Sequence, residues 1–159
     1  MSKRLVVSAL AGAVVLGGGA VATVALVGPA DAAGPTGEPV IGKSTSDPVV
    51  LGDGGTGALT FTTSVSDDSG IKSVKVLAWP RSSHLAPKAA EMASVESATC
   101  RASSATTSVC TYRAPAGGRK DAAAIPTGTW YMAVLVTAKD HGTAFSAKAS
   151  TFNVTRHAG

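Results

Sequence analysis

The amino-acid sequence predicts an all-β protein, a β-sandwich of about seven short strands. Several segments alternate apolar and polar residues with a period of two, which is the pattern of half-buried strands. Clusters of Gly, Asp, Ser and Pro separate these segments, as turns do. No long segment holds the 3.6-residue period of an amphipathic helix. Short strands punctuated by turns are typical of two packed sheets.

The first 32 residues have the composition of a secretory signal peptide. Positive charge at residues 3–4 precedes an uncharged apolar stretch at 5–27, and an Ala-Asp-Ala triplet that suits signal peptidase ends at Ala32. The stretch is also long enough to cross a bilayer of roughly 30 Å as an uncleaved anchor. The glycines at 17–19 interrupt it, however, and the cleavage motif follows directly. We expect cleavage after Ala32 and a secreted, extracellular protein without membrane attachment.

Removal of the signal leaves 127 residues, enough for one ordinary domain. This chain has 12 Lys and Arg against 9 Asp and Glu, and the positive charges form no basic run. The composition therefore does not favour nucleic acid as a partner. Residues 33–48 are rich in Pro, Gly, Ser and Thr, which predicts a flexible, extended lead-in. The sandwich domain is expected at 49–156.

The predicted strands follow from alternation and its interruptions. Residues 58–66 alternate cleanly, and the DDSG turn at 67–70 follows them. Two changes of phase predict β-bulges, one near Lys72–Ser73 and one before Phe152. Residues 129–138 are the most apolar and should form a central strand. In chain order the predicted strands are 49–51, 58–66, 71–79, 95–101, 106–114, 129–138 and 144–154.

The strand at 71–79 carries apolar side chains on both faces. Val74 and Val76 lie on one face, and Leu77 and Trp79 lie on the other. Each apolar face of a strand needs a cover. The residues that follow include Pro87, which is well placed to begin a helical turn, and then Ala, Glu and Met residues that favour one. We expect a short helical insertion near 87–93 that lies against Trp79.

Cys100 and Cys110 are the only cysteines in the chain. In an oxidising exterior an even cysteine count indicates a disulfide. A metal clip would need further ligands, yet the three histidines show no metal-site spacing, and a Cys-x-x-Cys redox motif is absent. We predict a structural disulfide between two short strands. Closing a loop of about eleven residues is worth roughly 2.7 kcal/mol.

Two segments, SDDSGIKSVKV and GTWYMAVLVTAKDHGTAFSAKASTFNV, resemble strands of bacterial immunoglobulin-like and fibronectin-III-like modules. Asp67, Gly70 and Ile71 match the Asp-x-x-Gly-Val pattern of the first, and Asp140 and Gly142 match the end of the second. VLAWP, the two cysteines and GTWY…VTAKD resemble more closely a family of small exported actinobacterial proteins, a domain of unknown function. The resemblance implies export and an immunoglobulin-like sandwich, and it transfers no activity.

Three carboxylates form a candidate metal site. Asp67 and Asp68 lie in one predicted turn and Asp140 lies in another, and the two turns can meet at one end of a sandwich. Carboxylates with backbone carbonyls suit Ca²⁺, a hard cation that takes six to eight oxygens. Their spacing is not that of a regular calcium loop, and the alternative is that they bond their own turns. No other cofactor is expected.

Trp79 and Tyr131 are the candidate ligand-binding residues. Exposed aromatic rings on a secreted sandwich can stack on sugar rings or anchor a protein partner. The alternative is that both rings fill the core, because large aromatics dominate burial in small domains. Surface binding requires that at least one of these rings is largely accessible to solvent.

The sequence favours a non-catalytic binding or structural module whose partner is an unknown extracellular protein or glycan. The alternative is a secreted protease inhibitor that presents the Cys100–Cys110 loop, with Arg101, as a rigid extended segment. Catalysis is not expected. Ser82, Ser83 and His84 are adjacent in sequence without the surroundings of a nucleophile elbow.

Overall fold

The structure is a computed structural model that describes residues 37–52, 57–115 and 123–156. The predicted signal peptide at 1–32 lies outside these residues. Within the described ranges, no helix combines the length and the apolar composition that crossing a membrane requires.

Within the described residues, eight strands form two four-stranded sheets. The first sheet has the order β1-β3-β6-β5 and the second the order β2-β8-β7-β4, and all pairs are antiparallel except β2–β8. Two 3₁₀ helices, η1 and η2, follow β4. The elements are β1 (Val40–Ser46), β2 (Val49–Leu51), β3 (Ala58–Ser66), β4 (Ile71–Pro80), η1 (Arg81–Ser83), η2 (Ala89–Ser94), β5 (Thr99–Ala102), β6 (Thr107–Pro115), β7 (Gly128–Ala138) and β8 (Thr143–Arg156).

The strand order matches that of an immunoglobulin-like sandwich. In that fold, strands A, B, E and D form one sheet and strands C, F and G form the other. Here β1, β3, β6 and β5 correspond to the first set, and β4, β7 and β8 correspond to the second. The short strand β2 joins the second sheet in parallel beside β8. The predicted fold class, an all-β sandwich with one disulfide and a short helical insertion, is confirmed.

The prediction of a flexible lead-in at 33–48 is wrong for β1. This strand pairs with β3 through an irregular register between Ile41 and Ser44. Ile41 packs against the main core, and the other side-chain contacts of the strand are polar, such as the 2.8 Å hydrogen bond between the hydroxyls of Ser44 and Thr63. Backbone pairing and small hydroxyl side chains hold β1 in place, so the strand has no apolar alternation that sequence reasoning could detect.

The main core lies between the inward faces of the two sheets. It receives alternate residues of each long strand, as the period of two requires. Burying one such apolar side chain stabilises the fold by roughly 1.5–3 kcal/mol. The core consists of Val49, Leu51, Leu59, Phe61, Val65, Val74, Val76, Cys110, Met132, Val134, Val136, Phe152 and Val154.

A second apolar cluster covers the outer face of β4 and β7. Trp79 and Ala133 are buried there beneath η2, whose Met92 is 0 % exposed. The Glu91 carboxylate accepts the Lys88 backbone N–H at 2.7 Å and so supports the first turn of η2. The predicted helical insertion against Trp79 is therefore present, as a 3₁₀ helix that begins at residue 89.

Both predicted bulges are present. The register of β4 shifts between Ile71 and Ser73. In β8, residues 147–149 lie opposite Ala133 alone. The β8 bulge frees the Ala147 carbonyl, which accepts the indole N–H of Trp79 at 2.8 Å. The bulge thus supplies the hydrogen-bond partner that a buried tryptophan needs.

The strand predicted at 95–101 is shorter than expected. Residues 96–98 bond to the free edge of β4, with Val76 N–H donating to the Glu96 carbonyl and Ala98 N–H donating to the Val74 carbonyl, both at 2.9 Å. Only Thr99–Ala102 pairs with β6. The chain crosses here from one sheet to the other, so consecutive residues bond to the edge of β4 and then to the edge of β6, and the edge of β4 is protected.

We predict that Met92→Ala lowers the free energy of unfolding by about 2–5 kcal/mol, because it leaves a cavity between η2 and Trp79. Leu85→Ala is the matched control. It removes an apolar side chain from the same insertion, but this side chain is 78 % exposed, so the change should stay within about 0.5 kcal/mol. Urea denaturation measures both variants. Equal effects would show that η2 does not seal the second cluster.

Candidate functional site

The disulfide between Cys100 and Cys110 is formed, as predicted. The two cysteines are direct partners in the antiparallel register of β5 and β6, with their Cα atoms 3.9 Å apart. Cys110 is fully buried in the main core. The bridge therefore holds the edge strand β5 to its neighbour within one sheet, and it anchors the hairpin to the core.

A shallow groove of about 700 Å³ lies over this stapled hairpin. Arg101 and Arg113 are exposed in it, and Val109, the ladder partner of Arg101, is 41 % exposed. Val109 and Arg113 alternate with inward-facing residues along β6, which places their side chains on the outer face. The lining residues are Glu96, Ser97, Thr99, Arg101, Val109, Thr111, Tyr112 and Arg113.

Tyr112 and Glu96 form one side of the groove. The Tyr112 ring packs against the main core, and its hydroxyl donates a hydrogen bond to the Glu96 carboxylate. Burial of the phenol, the hydrogen bond to Glu96 and the negative charge of Glu96 together raise the pKa of Tyr112 to about 12. The carboxylate of Glu96 is thus engaged, while the two arginines face the groove.

The tip of the hairpin, residues 103–106, is a closed turn. Ser104 Oγ accepts the backbone N–H groups of Thr106 and Thr107, at 3.3 and 3.0 Å. The Thr106 carbonyl accepts the Asp67 N–H at 2.8 Å, which ties the tip to the β3–β4 turn.

This geometry contradicts the requirement of the protease-inhibitor alternative, an extended and protruding loop at 101–109. Arg101 and Ala102 pair in the ladder with Val109 and Ser108. Residues 101–102 thus belong to an edge strand of the sheet, and residues 103–106 form a closed turn, so the segment is not the protruding extended loop that this alternative requires.

The structure brings the three predicted carboxylates together. Asp67, Asp68 and Asp140 each offer an oxygen, and these oxygens lie within 4.8 Å of one another. The Ser69 hydroxyl joins the two turns, since it donates to Asp67 Oδ1 at 2.5 Å and accepts the Asp140 N–H at 3.2 Å. Asp140 Oδ1 also accepts the Gly142 N–H at 2.9 Å. Both turns occupy one end of the sandwich.

Trp79 does not have the exposure that ligand binding requires, and its assignment as a binding residue is corrected. Its ring is 8 % exposed, because it lies over Ala133 beneath η2. Tyr131 is half-buried beside it, with the ring centroids 4.9 Å apart. The Lys148 ammonium lies 4.8 Å from the Tyr131 centroid. Trp79 thus serves the second cluster, while Tyr131 packs against that cluster and keeps part of its surface exposed, with Lys148 over its ring.

Ser82, Ser83 and His84 lie exposed in and after η1. The Ser83 hydroxyl donates to the Pro80 carbonyl at 2.8 Å, so its proton is engaged by the backbone. His84 ends the turn in a left-handed conformation with φ 55°. These three residues therefore form a turn on the surface.

Sequence reasoning missed the groove. Arg113 and Thr99 lie on different strands, and their proximity depends on the pairing of β5 with β6. The alternation of Val109, Thr111 and Arg113 was the available signal, because it places these three side chains on one face of a strand.

Comparison with known proteins matches residues 42–136, more than half of the chain, to a family of unknown function (DUF5707). No curated protein matches the sequence. The matched residues extend from β1 to β7 and include both cysteines, η2 and the whole groove.

We predict that Glu96→Gln lowers the pKa of Tyr112 part of the way from about 12 toward 10, because burial, the largest cause, remains. The raised pKa means that the neutral phenol stabilises the folded state fully below pH 10, and that this contribution is lost as the pH rises toward 12. Absorbance titration at 295 nm in a Tyr131→Phe background follows Tyr112 alone. Glu38→Gln is the control, and an unchanged curve in Glu96→Gln would contradict the contact.

Proposed function

Because the chain belongs to this family of unknown function, we propose a role that rests on its own fold and surface. The protein is a secreted, non-catalytic binding module that acts outside the cell. Its contact surface is the groove over β5 and β6. The observation that supports this surface most directly is the pair of exposed arginines on a hairpin that the disulfide holds rigid.

The proposed export rests on the N-terminal pattern and on the disulfide. A positive start, an apolar stretch and an Ala-x-Ala triplet ending at Ala32 form a cleavable signal. A structural disulfide persists in oxidising compartments outside the cytosol. The finer assignment to small exported actinobacterial proteins rests on the resemblance of VLAWP and GTWY…VTAKD, and it is part of the proposal.

The charge of the groove favours an acidic partner. Arg101 lies opposite Val109, and Arg113 is four residues farther along β6, roughly 13 Å away at 3.3 Å per residue. Thr111 lies between the two arginines along β6, and Val109 lies beside Arg101. An extended chain that carries carboxylates, in a protein segment or an acidic glycan, can contact both guanidinium groups across this distance.

The stapled hairpin also limits the entropy lost on binding. The disulfide joins β5 to β6, β6 pairs with β3 over its whole length, and the Thr106 carbonyl binds the β3–β4 turn. A surface that is already ordered loses little conformational freedom when it binds a partner. This rigidity suits a binding module.

We predict that the full chain, expressed in an export-competent Gram-positive host, is recovered from the medium with Ala33 as its first residue. N-terminal sequencing and thiol titration measure the two expected properties, a cleaved leader and no free thiol. Ala32→Arg is the control, because a large side chain at this position blocks signal peptidase. Cell-associated protein that keeps Met1 or carries free thiols would contradict the proposed export.

We predict that the protein binds immobilised poly-L-glutamate at low salt, and that Arg101→Glu with Arg113→Glu weakens this binding at least about tenfold. Raising the salt concentration should weaken the wild-type interaction, since exposed charges are screened. Surface plasmon resonance gives the dissociation constants.

The matched control reverses Lys43 and Lys72, two exposed lysines outside the groove. This variant carries the same net charge as the arginine variant. If both variants lose binding equally, overall charge drives the interaction. That result, or an absence of wild-type binding, would overturn the assignment of the groove.

A further inference from the structure

The carboxylate cluster at the end of the sandwich contains a buried oxygen without a partner. Asp67 is 7 % exposed. Its Oδ1 accepts the backbone N–H of Ser69 at 2.9 Å and the Ser69 hydroxyl at 2.5 Å. Its Oδ2 is also buried and has no hydrogen-bond partner in the part of the chain that the structure describes. Hydrogen bonds within the turn therefore satisfy half of this carboxylate.

An unpaired buried carboxylate oxygen is unfavourable, and native proteins satisfy such groups with a donor, an ordered water or an ion. The Lys139 ammonium is the nearby positive group, and it lies beside Gly70, 3.3 Å from where a Cβ would stand. It does not bond Asp67 Oδ2. Asp68 and Asp140 add two further carboxylates to the same place. The arrangement concentrates negative charge around an unsatisfied oxygen.

The spacing of the oxygens fits one calcium ion. When three points all lie within 4.8 Å of one another, some position is within about 2.8 Å of each. Ca²⁺–O distances are about 2.3–2.6 Å, so small side-chain movements complete the contacts. Mg²⁺ demands about 2.0–2.1 Å and near-octahedral geometry, which requires a tighter cluster.

Gly37 lies beside the cluster, since a Cβ on this residue would stand 4.0 Å from Asp68 Oδ1. The Gly37 carbonyl oxygen and Asp140 Oδ1 approach the same point beside Gly142, at 3.0 and 3.2 Å from where its Cβ would stand. Glu38 lines a shallow depression together with Asp67 and Asp68. Backbone carbonyls and carboxylates are the ligands that Ca²⁺ prefers, and six to eight are needed, with water supplying the remainder.

We propose that Asp67, Asp68 and Asp140 bind one Ca²⁺ ion, which joins the β3–β4 turn to the β7–β8 turn and holds the start of β1 through Gly37. The ion supplies the missing partner of Asp67 Oδ2. This site is separate from the groove and does not depend on the proposed function. The exposed position of Asp68 suits the affinity of extracellular calcium modules, with a dissociation constant of about 0.1–1 mM.

The test compares binding and melting of the full chain after EDTA treatment and dialysis. CaCl₂ at 10 mM should raise the Tm by about 5 °C, and MgCl₂ or NaCl of equal ionic strength should raise it much less. Isothermal titration calorimetry should show one saturable site for Ca²⁺. No saturable heat, together with equal Tm shifts for all three salts, would overturn the proposal. The three aspartates would then only stabilise their own turns.

Variants separate a metal site from a structural turn. Asp67→Asn keeps the size of the side chain and removes its charge, so it should abolish the calcium-dependent Tm shift without lowering the Tm in EDTA. If Asp67 only stabilises its turn, Asp67→Asn should lower the Tm by the same amount in EDTA and in CaCl₂. Asp47→Asn, an exposed site outside the cluster, is the charge-matched control and should keep the full shift.

Asp68→Asn and Asp140→Asn keep the proposal testable if Asp67→Asn does not fold, because Asp68 is exposed and Asp140 is only half-buried. Each should weaken calcium binding at least about tenfold by calorimetry. Unchanged binding in both variants would place the ion elsewhere and contradict the assignment.

Discussion

The strand pair β4–β7 is apolar on both faces, and the rest of the structure covers those faces. On the inner face, Val74, Val76 and Val134 pack against the opposite sheet. On the outer face, Trp79 lies across Ala133 and needs both a cover and a partner for its indole N–H. Apolar area removed from water drives this arrangement, and an unsatisfied indole would oppose it. The insertion after β4 and the bulge in β8 meet these two requirements.

The elements that cover these faces also determine which surfaces of the sandwich remain free. η2 and Lys148 occupy the outer face of the second sheet, so Tyr131 serves packing there. Among the described residues, no element covers the outer face of β5 and β6 in this way, and that face carries the groove. The β3–β4 and β7–β8 turns leave the sandwich at one end, where the carboxylates gather. Binding chemistry thus lies on a hairpin face and at a turn cluster, both held by rigid strands.

Much of the fold was predictable because burial alternates along its central strands. The bounds of β3 were predicted residue for residue, and the double-faced apolar pattern of β4 indicated the insertion that supplies Met92. Strand β1 was missed, because hydroxyl contacts such as that of Ser44 leave no hydrophobic signal. The carboxylate cluster was predicted as a candidate metal site, because its residues lie in two turns that can meet at one end of a sandwich. The groove was not predicted, since the pairing of β5 with β6 is what places Arg101 and Arg113 on one surface.

The sequence alone determined the all-β class, the disulfide, most strand bounds and the position of the helical cover, because each depends on residue type and local period. Tertiary structure decided which side chains are accessible. It buried Trp79, closed the 103–106 turn against Asp67 and left Asp67 Oδ2 without a partner. Those outcomes depend on the register of strands distant in sequence and on which edges meet. No local pattern of residues contains that information, because long-range packing selects among many registers that the same alternation permits.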